Sequence, residues 1–463
     1  MMTDAHAETV GLEETVNNTA TTTRATLDRD SLLDWYRRNR RRSTAIFDLL
    51  ADDCYYSRPI DLRHPIVFYD GHLPAFSFNT LVKRGLGRPS IDPALEMLFA
   101  RGIDPHESHK TPDQRALWPS RETVRQFAGE ADRQVIDALA HGEIVQPGHP
   151  LLDAAEAALC ILEHEAMHQE TLLYMWHRLP LEQKRRPDGY QPLIDGPAVD
   201  HAWVDVPAGT ATLGVDRGMV PFSWDNERPA CHAHVPAFRV QQHNVTNADF
   251  FGFLDAGGYR DQRWWRADDW EWVTKEGISH PPFWERDDCD AWCWRGMFDR
   301  IPLPMAWPVY VSQAEAVAYA AWRGDRLMTE AEFQRAAYGE PGGSERTYPW
   351  GGAPPQPVHG AFDFDGWDPQ PAGSHPQGAS AWGVHDLVGN GWEWTSTPFA
   401  PFPGFAALPS YPEYSADFFD GQHFVMKGAS PVTARELIRP SFRNWFRARY
   451  PFVYASFRCA RNA

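Results

Sequence analysis

The chain has 463 residues, with 44 Lys and Arg against 62 Asp and Glu, which gives a formal net charge of −18. This length fits two domains better than one core, and the negative charge disfavours nucleic acid as a partner because like charges repel. No apolar run approaches the length that spans a bilayer, and the N-terminus lacks the basic and apolar regions of an export signal. We therefore expect a cytoplasmic protein without a membrane partner.

The first part of the chain reads as helical. Residues 1–28 are rich in Thr and Asn and offer little to bury, so we expect a disordered leader there. From Ser31, which is placed to cap a helix, apolar residues recur at helical spacing. Similar patterns follow over residues 69–85, 121–141 and 150–179. Four helices with long connections predict a four-helix bundle over residues 29–190.

Beyond a linker over residues 184–196, short apolar runs alternate with Gly, Pro, Asp and Asn. This pattern predicts a loop-rich α+β domain over residues 197–463. Helices in it should begin at Ser312 and at Thr329, where Glu332 completes a capping box. The six cysteines are scattered, which indicates reduced thiols. The one close pair, Cys289 and Cys293, lacks the second pair that a tetrahedral metal site needs.

His164 and His168 stand four residues apart in the last predicted helix of the bundle. Residues at this spacing share one helix face, so the two imidazoles can chelate one metal ion. Their neighbours are apolar, which turns this face toward the bundle interior, where facing helices build metal sites. Two polar residues that are solvated or satisfied in the core are the alternative. Glu170 lies about 200° around the helix from His168, so we predict a supporting role for it rather than ligation.

A third imidazole is needed, and His72 is the best candidate because it lies on another predicted helix within an aromatic, apolar stretch. Three neutral nitrogens leave open coordination positions, which suits Fe(2+) that must bind O2 and a substrate, although the set does not exclude zinc. We assign His64 to a loop and interpret His106, His109 and His141 as solvated.

The segment from His164 to His168 also fits HExxH, the signature of zinc metallopeptidases. Glu165 would then be the general base beside a zinc-bound water. The extended form of that motif fails, because Thr171 and Tyr174 occupy the positions of its Gly and its third His. A metallopeptidase stays open as an alternative.

Five segments of the second domain, WVDVPAGTATLG, DNERPACHAHVPAF, GDRLMTEAEFQRAAYG, GVHDLVGNGWEWTSTPF and SFRCARNA, follow these histidines in order. With His72 and the HxxxHxE pattern at His164, His168 and Glu170, they make nearly the whole chain resemble the ergothioneine-type sulfoxide synthase family. The resemblance implies a DinB-like helical bundle followed by a C-type-lectin-like domain similar to the formylglycine-generating enzyme. That enzyme uses a close cysteine pair near its C-terminus, where only Cys459 stands here, so its activity is not expected.

The resemblance implies an iron(II) enzyme that uses O2 to join a chalcogen donor to hercynine, the trimethylated betaine of histidine. The family's Tyr-x-x-Tyr element is matched by Tyr411 and Tyr414, and Tyr411 would be the catalytic phenol that supplies a proton or hydrogen atom. Simple packing is the alternative for both tyrosines. The family's Asn-Trp pair, which contacts hercynine, is matched by Asn444 and Trp445. A quaternary ammonium is best held by aromatic faces, which this domain has in excess.

The chain departs from the family pattern at positions that contact substrates. Members that use γ-glutamylcysteine carry an Asp directly after that Trp to bind the donor's ammonium, whereas this chain has Phe446 and then Arg447. Met167 replaces a Gln found in several members. We place all three residues at the substrates.

The segment HPIVFYDGHLPAFSFNTLVKRGLGRPSID resembles the branch of the family that forms selenoneine from a selenosugar. We therefore predict O2-dependent carbon–selenium bond formation between hercynine and a selenosugar. A sulfoxide synthase that takes γ-glutamylcysteine or cysteine is the alternative. A binding module without turnover, built on the lectin-like domain, is the non-enzymatic alternative.

Overall fold

A computed structural model describes residues 28–100, 118–192, 195–200 and 202–463 of the chain. The predicted disordered leader lies outside these residues except for its last position, Asp28. His106 and His109 also lie outside them, so their predicted solvation has no counterpart in the structure.

The N-terminal part is helical, as predicted. Its helices are α1 (Arg29–Asp48), α2 (Ile66–Ser77), a π-helix that continues α2 (Phe78–Gly85), α3 (Pro93–Leu98), α4 (Arg121–His141) and α5 (Glu156–Arg178). Helices α1 and α2 each pack against both α4 and α5. The bounds of α4 coincide with the predicted helix over residues 121–141. This arrangement brings α2 alongside α5, the two helices that carry the predicted metal ligands.

Helices α1 and α5 begin at other residues than predicted. Helix α1 begins at Arg29, because the carboxylate of Asp28 accepts hydrogen bonds from the backbone N–H groups of Asp30 and Ser31, at 3.2 and 3.3 Å. Ser31 therefore lies inside the first turn rather than capping it. Helix α5 begins at Glu156 rather than at residue 150, because Ala154 and Ala155 adopt φ angles of 54° and 59°. Left-handed backbone interrupts a right-handed helix.

The predicted helix over residues 69–85 changes type along its length. It begins earlier, as α2, and turns into a π-helix from Phe78 to Gly85. Pro74 lies inside α2, where its missing N–H weakens the regular hydrogen-bond ladder. Runs of π-helix are rare and frequently accompany functional sites. His72 lies in α2, six residues before this irregular stretch.

The second part mixes helices and strands, as predicted. Its strands are β1 (Trp203–Val206), β2 (Gly209–Leu213), β3 (Cys231–Val235), β4 (Phe238–Gln241), β5 (Trp284–Arg286), β6 (Trp292–Arg295), β7 (Arg300–Pro302), β8 (Arg326–Leu327), β9 (Gly391–Pro398), β10 (His423–Ala429), β11 (Asn444–Arg447), β12 (Ala455–Ser456) and β13 (Cys459–Asn462). They form sheets in the orders β1-β4-β13-β8 and β11-β10-β9-β12, with a β2-β3 hairpin and a β5-β6-β7 meander. Strand β12 runs parallel to β9, and the other pairs are antiparallel.

The helices of the second part are α6 (Asn247–Asp255), α7 (Ala267–Glu276), α8 (Gln313–Arg323) and α9 (Glu330–Tyr338). The predicted caps are confirmed: Ser312 with Glu315 and Thr329 with Glu332 form capping boxes at α8 and α9. Helices α6 and α7 were not predicted. The sequence offered a signal for α6, since Thr246 and Asp249 form a third capping box.

A buried ion-pair network joins the two parts. Arg439 donates to both carboxylate oxygens of Glu163 on α5, at 2.8 and 2.9 Å, and to those of Glu227 in the second part, at 2.8 and 2.6 Å. Bidentate pairs of this kind fix geometry as well as charge. The position of α5 is therefore tied to the second part of the chain. No helix among the described residues is long and apolar enough to cross a membrane.

Candidate metal centre and substrate cavity

The structure brings His72 on α2 together with His164 and His168 on α5. One ring nitrogen from each histidine lies within 4.8 Å of the other two. The Nε2 atoms of His72 and His164 are 3.3 Å apart, and the ring centres of His164 and His168 are 4.5 Å apart. The three imidazoles predicted from spacing and context therefore converge on one point.

All three rings are held in the neutral form that binds metals. Burial lowers the pKa of His72 to about 4. Burial, with repulsion between the neighbouring imidazoles, lowers the pKa values of His164 and His168 well below the ordinary value. The backbone carbonyl of Phe99 accepts a hydrogen bond from His72 Nδ1 at 2.7 Å, which leaves a lone pair on Nε2.

This arrangement fits a cation better than a proton. Two imidazole nitrogens 3.3 Å apart must share either one proton or one positive ion. A proton serves only two nitrogens, and here three nitrogens converge. A metal ion with three imidazole ligands satisfies all of them and keeps positions free for other ligands.

Glu170 is not part of this convergence. Its carboxylate accepts hydrogen bonds from Trp392 Nε1 at 2.7 Å, from Ser430 Oγ at 2.6 Å and from Thr433 Oγ1 at 2.8 Å. These three donors all belong to the second part of the chain. Glu170 therefore holds α5 against that part, which agrees with a supporting role.

Glu165, the general base of the metallopeptidase alternative, faces away from the cavity. It accepts hydrogen bonds from Arg40 Nη1 at 2.9 Å and from Ser43 Oγ at 2.7 Å, both on α1. Its carboxylate is completely buried on that side of the helix. The structure thus offers no base in the HExxH position beside the three imidazoles.

A cavity opens beside His164 and His168, between α5 and the second part of the chain. Seven further residues singled out above line this cavity: Met167, Glu170, Tyr411, Tyr414, Asn444, Trp445 and Phe446. Arg447 was also singled out and is not among the lining residues. The predicted contact of Arg447 with substrate has no counterpart in the lining of this cavity and stays a prediction. Arg447 stands at the end of β11 with its side chain exposed.

Tyr411 and Tyr414 lie in the long segment between β9 and β10, and their rings contact different residues. The ring of Tyr411 is 5.9 Å from the ring of His164 and 5.1 Å from that of Phe76. Tyr414 stacks on Trp224 at 4.1 Å, and its hydroxyl is 3.2 Å from the sulfur of Met167. Tyr411 is therefore the tyrosine beside the imidazoles, and Tyr414 fills the space next to Met167.

Strand β11 divides the cavity wall, because successive side chains of a strand point to opposite sides. Trp445 stacks on Phe399 at 4.2 Å and lies 5.2 Å from Tyr414. Phe446 stacks on Tyr450 at 5.0 Å and meets Tyr174 at 6.2 Å. Trp445, which is predicted to contact hercynine, and Phe446, which is predicted to lie at the donor, thus belong to different walls of the cavity.

Sequence reasoning missed several cavity residues, among them Arg63, Thr171, Tyr174 and His423. Thr171 and Tyr174 continue the helical period of His164 and His168, so the spacing along α5 contained a signal for them. Arg63 and His423 reach the cavity only through long-range packing. Cys459 lies buried in β13 and is not among the residues that line the cavity.

Comparison with known proteins assigns both parts of the chain. The sulfatase-modifying factor enzyme 1-like domain matches residues 197–463, and the DinB superfamily matches residues 36–172.

The chain is 35% identical over 429 residues to a hercynine oxygenase of Mycolicibacterium thermoresistibile, which covers 88% of this chain and 89% of the relative. It is 37% identical over 356 residues to a hercynine oxygenase of Mycolicibacterium smegmatis, with coverage of 69% and 80%. It is 27% identical over 505 residues to ergothioneine biosynthesis protein 1 of Neurospora crassa, with coverage of 89% and 56%. The chain therefore belongs to the ergothioneine/hercynine oxygenase family, which combines a DinB-like helical part with a sulfatase-modifying-factor-like domain.

Proposed function

We propose that this protein is an O2-dependent oxidoreductase that holds Fe(2+) on His72, His164 and His168 and joins a chalcogen atom to hercynine. The observation that carries this proposal is the convergence of three buried imidazoles beside an aromatic cavity, in a chain 35% identical to a hercynine oxygenase. When bound, the iron supplies the redox chemistry with O2, and its free coordination positions accept substrates.

In this proposal, helices α1, α2, α4 and α5 form a four-helix bundle over residues 29–190 that presents the metal ligands. Residues 197–463 form the domain that completes the cavity with its aromatic walls. The substrates bind between the two domains. Arg439 and Glu170 fix the position of one domain relative to the other.

The trimethylammonium of hercynine is assigned to the Trp445 side of the cavity. A quaternary ammonium donates no hydrogen bonds and is attracted to the faces of aromatic rings. On this side the ring of Trp445 lies 5.2 Å from that of Tyr414 and 5.7 Å from that of Phe418. Asn444 lines the same cavity, and its amide can hydrogen-bond to the imidazole or the carboxylate of hercynine.

Tyr411 is assigned the catalytic role among the protein's own side chains. Its ring lies next to that of His164, so its phenol is placed to give a proton or hydrogen atom while the carbon–chalcogen bond forms. A proton or hydrogen-atom source in this position directs the reaction toward the carbon–chalcogen product and away from oxidation of the chalcogen donor alone.

A selenosugar fits the remaining space better than an amino-acid donor. The α-ammonium of cysteine or γ-glutamylcysteine would meet Phe446, and an unpaired ammonium that loses its water costs several kcal/mol. Glu170 also lines the cavity, but its carboxylate already accepts three hydrogen bonds. A selenosugar carries a selenolate that can approach the metal, and its neutral ring has no ammonium that needs such a partner.

A sulfoxide synthase using γ-glutamylcysteine or cysteine is the second candidate. The names of the relatives, hercynine oxygenase and ergothioneine biosynthesis protein 1, favour it. The two candidates share the metal, the hercynine site and Tyr411, and they differ only in the donor.

A competition assay separates them. Iron-loaded protein receives hercynine, O2, a selenohexose with its selenol on the anomeric carbon, and γ-glutamylcysteine, and the products are analysed by mass spectrometry. We expect the selenium adduct to predominate. Predominance of the sulfur adduct would establish the second candidate instead, and tight hercynine binding without any adduct would support the binding module.

A further inference from the structure

The two walls of the cavity differ in charge. Among the described residues that line it, the Trp445 side presents aromatic rings and His423, whose imidazole is paired with Asp420, whereas the Phe446 side includes the guanidinium of Arg63. Arg63 lies in the connection between α1 and α2, only nine positions before the metal-ligand candidate His72. Its position follows from packing against aromatic residues that are more than a hundred positions away.

Arg63 is fixed by rings and hydroxyl groups together. Its guanidinium carbon lies 5.7 Å from the ring centres of Tyr174 and Phe446 and 5.6 Å from that of Tyr450. Its Nη2 donates a hydrogen bond to the hydroxyl of Tyr174 at 2.6 Å, and its Nε donates one to the hydroxyl of Tyr450 at 3.2 Å. A guanidinium held in this way is a planar donor in a set orientation.

The charge of Arg63 on one wall and the aromatic faces of the other favour a different substrate at each wall. A guanidinium stays charged at any physiological pH, so it repels the trimethylammonium of hercynine from the Phe446 side. The Trp445 side offers the aromatic faces that attract the same group. The Phe446 side, with Arg63, is left for the second substrate.

We propose that Arg63 is a specificity-determining residue for the chalcogen donor. It favours a donor that turns hydroxyl or carboxylate oxygens toward the guanidinium, which donates hydrogen bonds to them, and it disfavours a donor that would turn an ammonium toward it. This inference rests on the proposed function, because it requires hercynine and a donor to share the cavity.

The test compares Arg63→Met with Arg63→Lys in the iron-loaded full chain. We expect Arg63→Met to raise the KM of the selenohexose about tenfold or more, while the hercynine Kd, measured anaerobically by calorimetry, stays unchanged. The same variant should raise kcat/KM for cysteamine, a thiol that carries an ammonium and no carboxylate, because the repulsion of its ammonium is gone. Arg63→Lys keeps the charge and loses the planar fork, so it should weaken selenohexose binding but continue to exclude cysteamine.

Arg121→Met is the matched control. Arg121 also lies over a tyrosine ring of the helical part, that of Tyr55 at 5.0 Å, but it is not among the residues that line the cavity. Its substitution should leave both substrate constants unchanged. If Arg63→Met fails to fold, the response of Arg63→Lys to the two donors decides the matter.

A loss of hercynine affinity with an unchanged donor KM would overturn the inference, as would equal use of cysteamine by the wild-type protein and by Arg63→Met. The donor that the wild-type protein prefers is established beforehand in the competition assay. Should that donor be a thiol, the choice of a selenosugar fails, whereas the change in donor KM on substitution of Arg63 still tests the role of Arg63.

Discussion

The candidate metal centre and the aromatic walls of the cavity are built in different ways. The three imidazoles come from two long helices, and two of them share one face of α5. The walls come from β11, from the long segment between β9 and β10, and from Arg63 before α2. Helix geometry alone sets the spacing of the ligands along α5, whereas the walls depend on contacts between distant parts of the chain. The difference suggests that metal chemistry can stay constant in such a protein while the choice of donor changes.

The largest effect should come from removing the histidines that α2 and α5 contribute. We expect His72→Ala, His164→Ala and His168→Ala each to abolish iron retention and O2-dependent turnover, because two imidazoles hold Fe(2+) far more weakly than three. Metal content after anaerobic reconstitution and gel filtration measures retention, and oxygen consumption with hercynine and donor measures turnover.

His141→Ala is the control, since His141 is exposed at the end of α4 and should leave iron content and activity unchanged. Full turnover of wild-type protein loaded with zinc instead of iron would contradict the iron assignment. Undiminished iron content in any of the three alanine variants would remove that histidine from the ligand set.

The same difference between the helices and the cavity walls decides how far the sequence predicts each of these regions. The helical period predicted His164 and His168 on one face, and the resemblance to the family pointed to Tyr411 and Trp445. Arg63 escaped prediction because nothing in its local sequence indicates that it meets the rings of Tyr174, Phe446 and Tyr450. The start of α5 was misplaced because the left-handed backbone at residues 154–155 has no glycine to indicate it.

The next largest effect should come from Tyr411→Phe, which removes one hydroxyl from the wall nearest the imidazoles. We expect hercynine affinity to change by less than about threefold, because the ring and its contacts with His164 and Phe76 remain. The products should shift from the carbon–chalcogen adduct toward oxidised donor, since the variant lacks the phenol that we propose as the source of the proton or hydrogen atom. Product ratios by mass spectrometry measure the shift.

Tyr414→Phe is the matched control, because Tyr414 has the same chemistry but is directed to the sulfur of Met167. It should keep the wild-type product ratio. An unchanged ratio in Tyr411→Phe would assign Tyr411 to packing.

A smaller effect, on donor choice alone, is expected from Phe446→Asp. The new carboxylate should accept the ammonium of an amino-acid donor and narrow the preference for a selenosugar. Arg63 lies beside the Phe446 ring and should pair with this carboxylate, which limits the gain. We therefore expect Phe446→Asp combined with Arg63→Met to use γ-glutamylcysteine better than either single variant does, by about tenfold. Additive effects of the two substitutions would argue against their contact.

The smallest effect should come from Arg84→Met, which tests how the two regions are joined. Arg84, in the π-helix that follows α2, donates hydrogen bonds to the backbone carbonyls of Pro409 and Ser410 at 3.0 and 3.2 Å. The hydroxyl of Ser410 donates to Glu156, at the start of α5, at 3.2 Å. Both ligand-bearing helices thus hold the residues directly before Tyr411.

Loss of the Arg84 contacts should cost about 1–2 kcal/mol of stability and let Tyr411 move relative to His164. We expect a partial shift toward oxidised donor, about two- to fivefold and smaller than in Tyr411→Phe. Arg88→Met is the control, because the side chain of Arg88 forms a partly exposed ion pair with Asp137 at 2.7 Å rather than hydrogen bonds to the residues before Tyr411. A lowered melting temperature with an unchanged product ratio in Arg84→Met would mean that the segment holds Tyr411 in place without Arg84. A shift in both measurements would mean that the helices which bind the metal also set the position of the catalytic phenol.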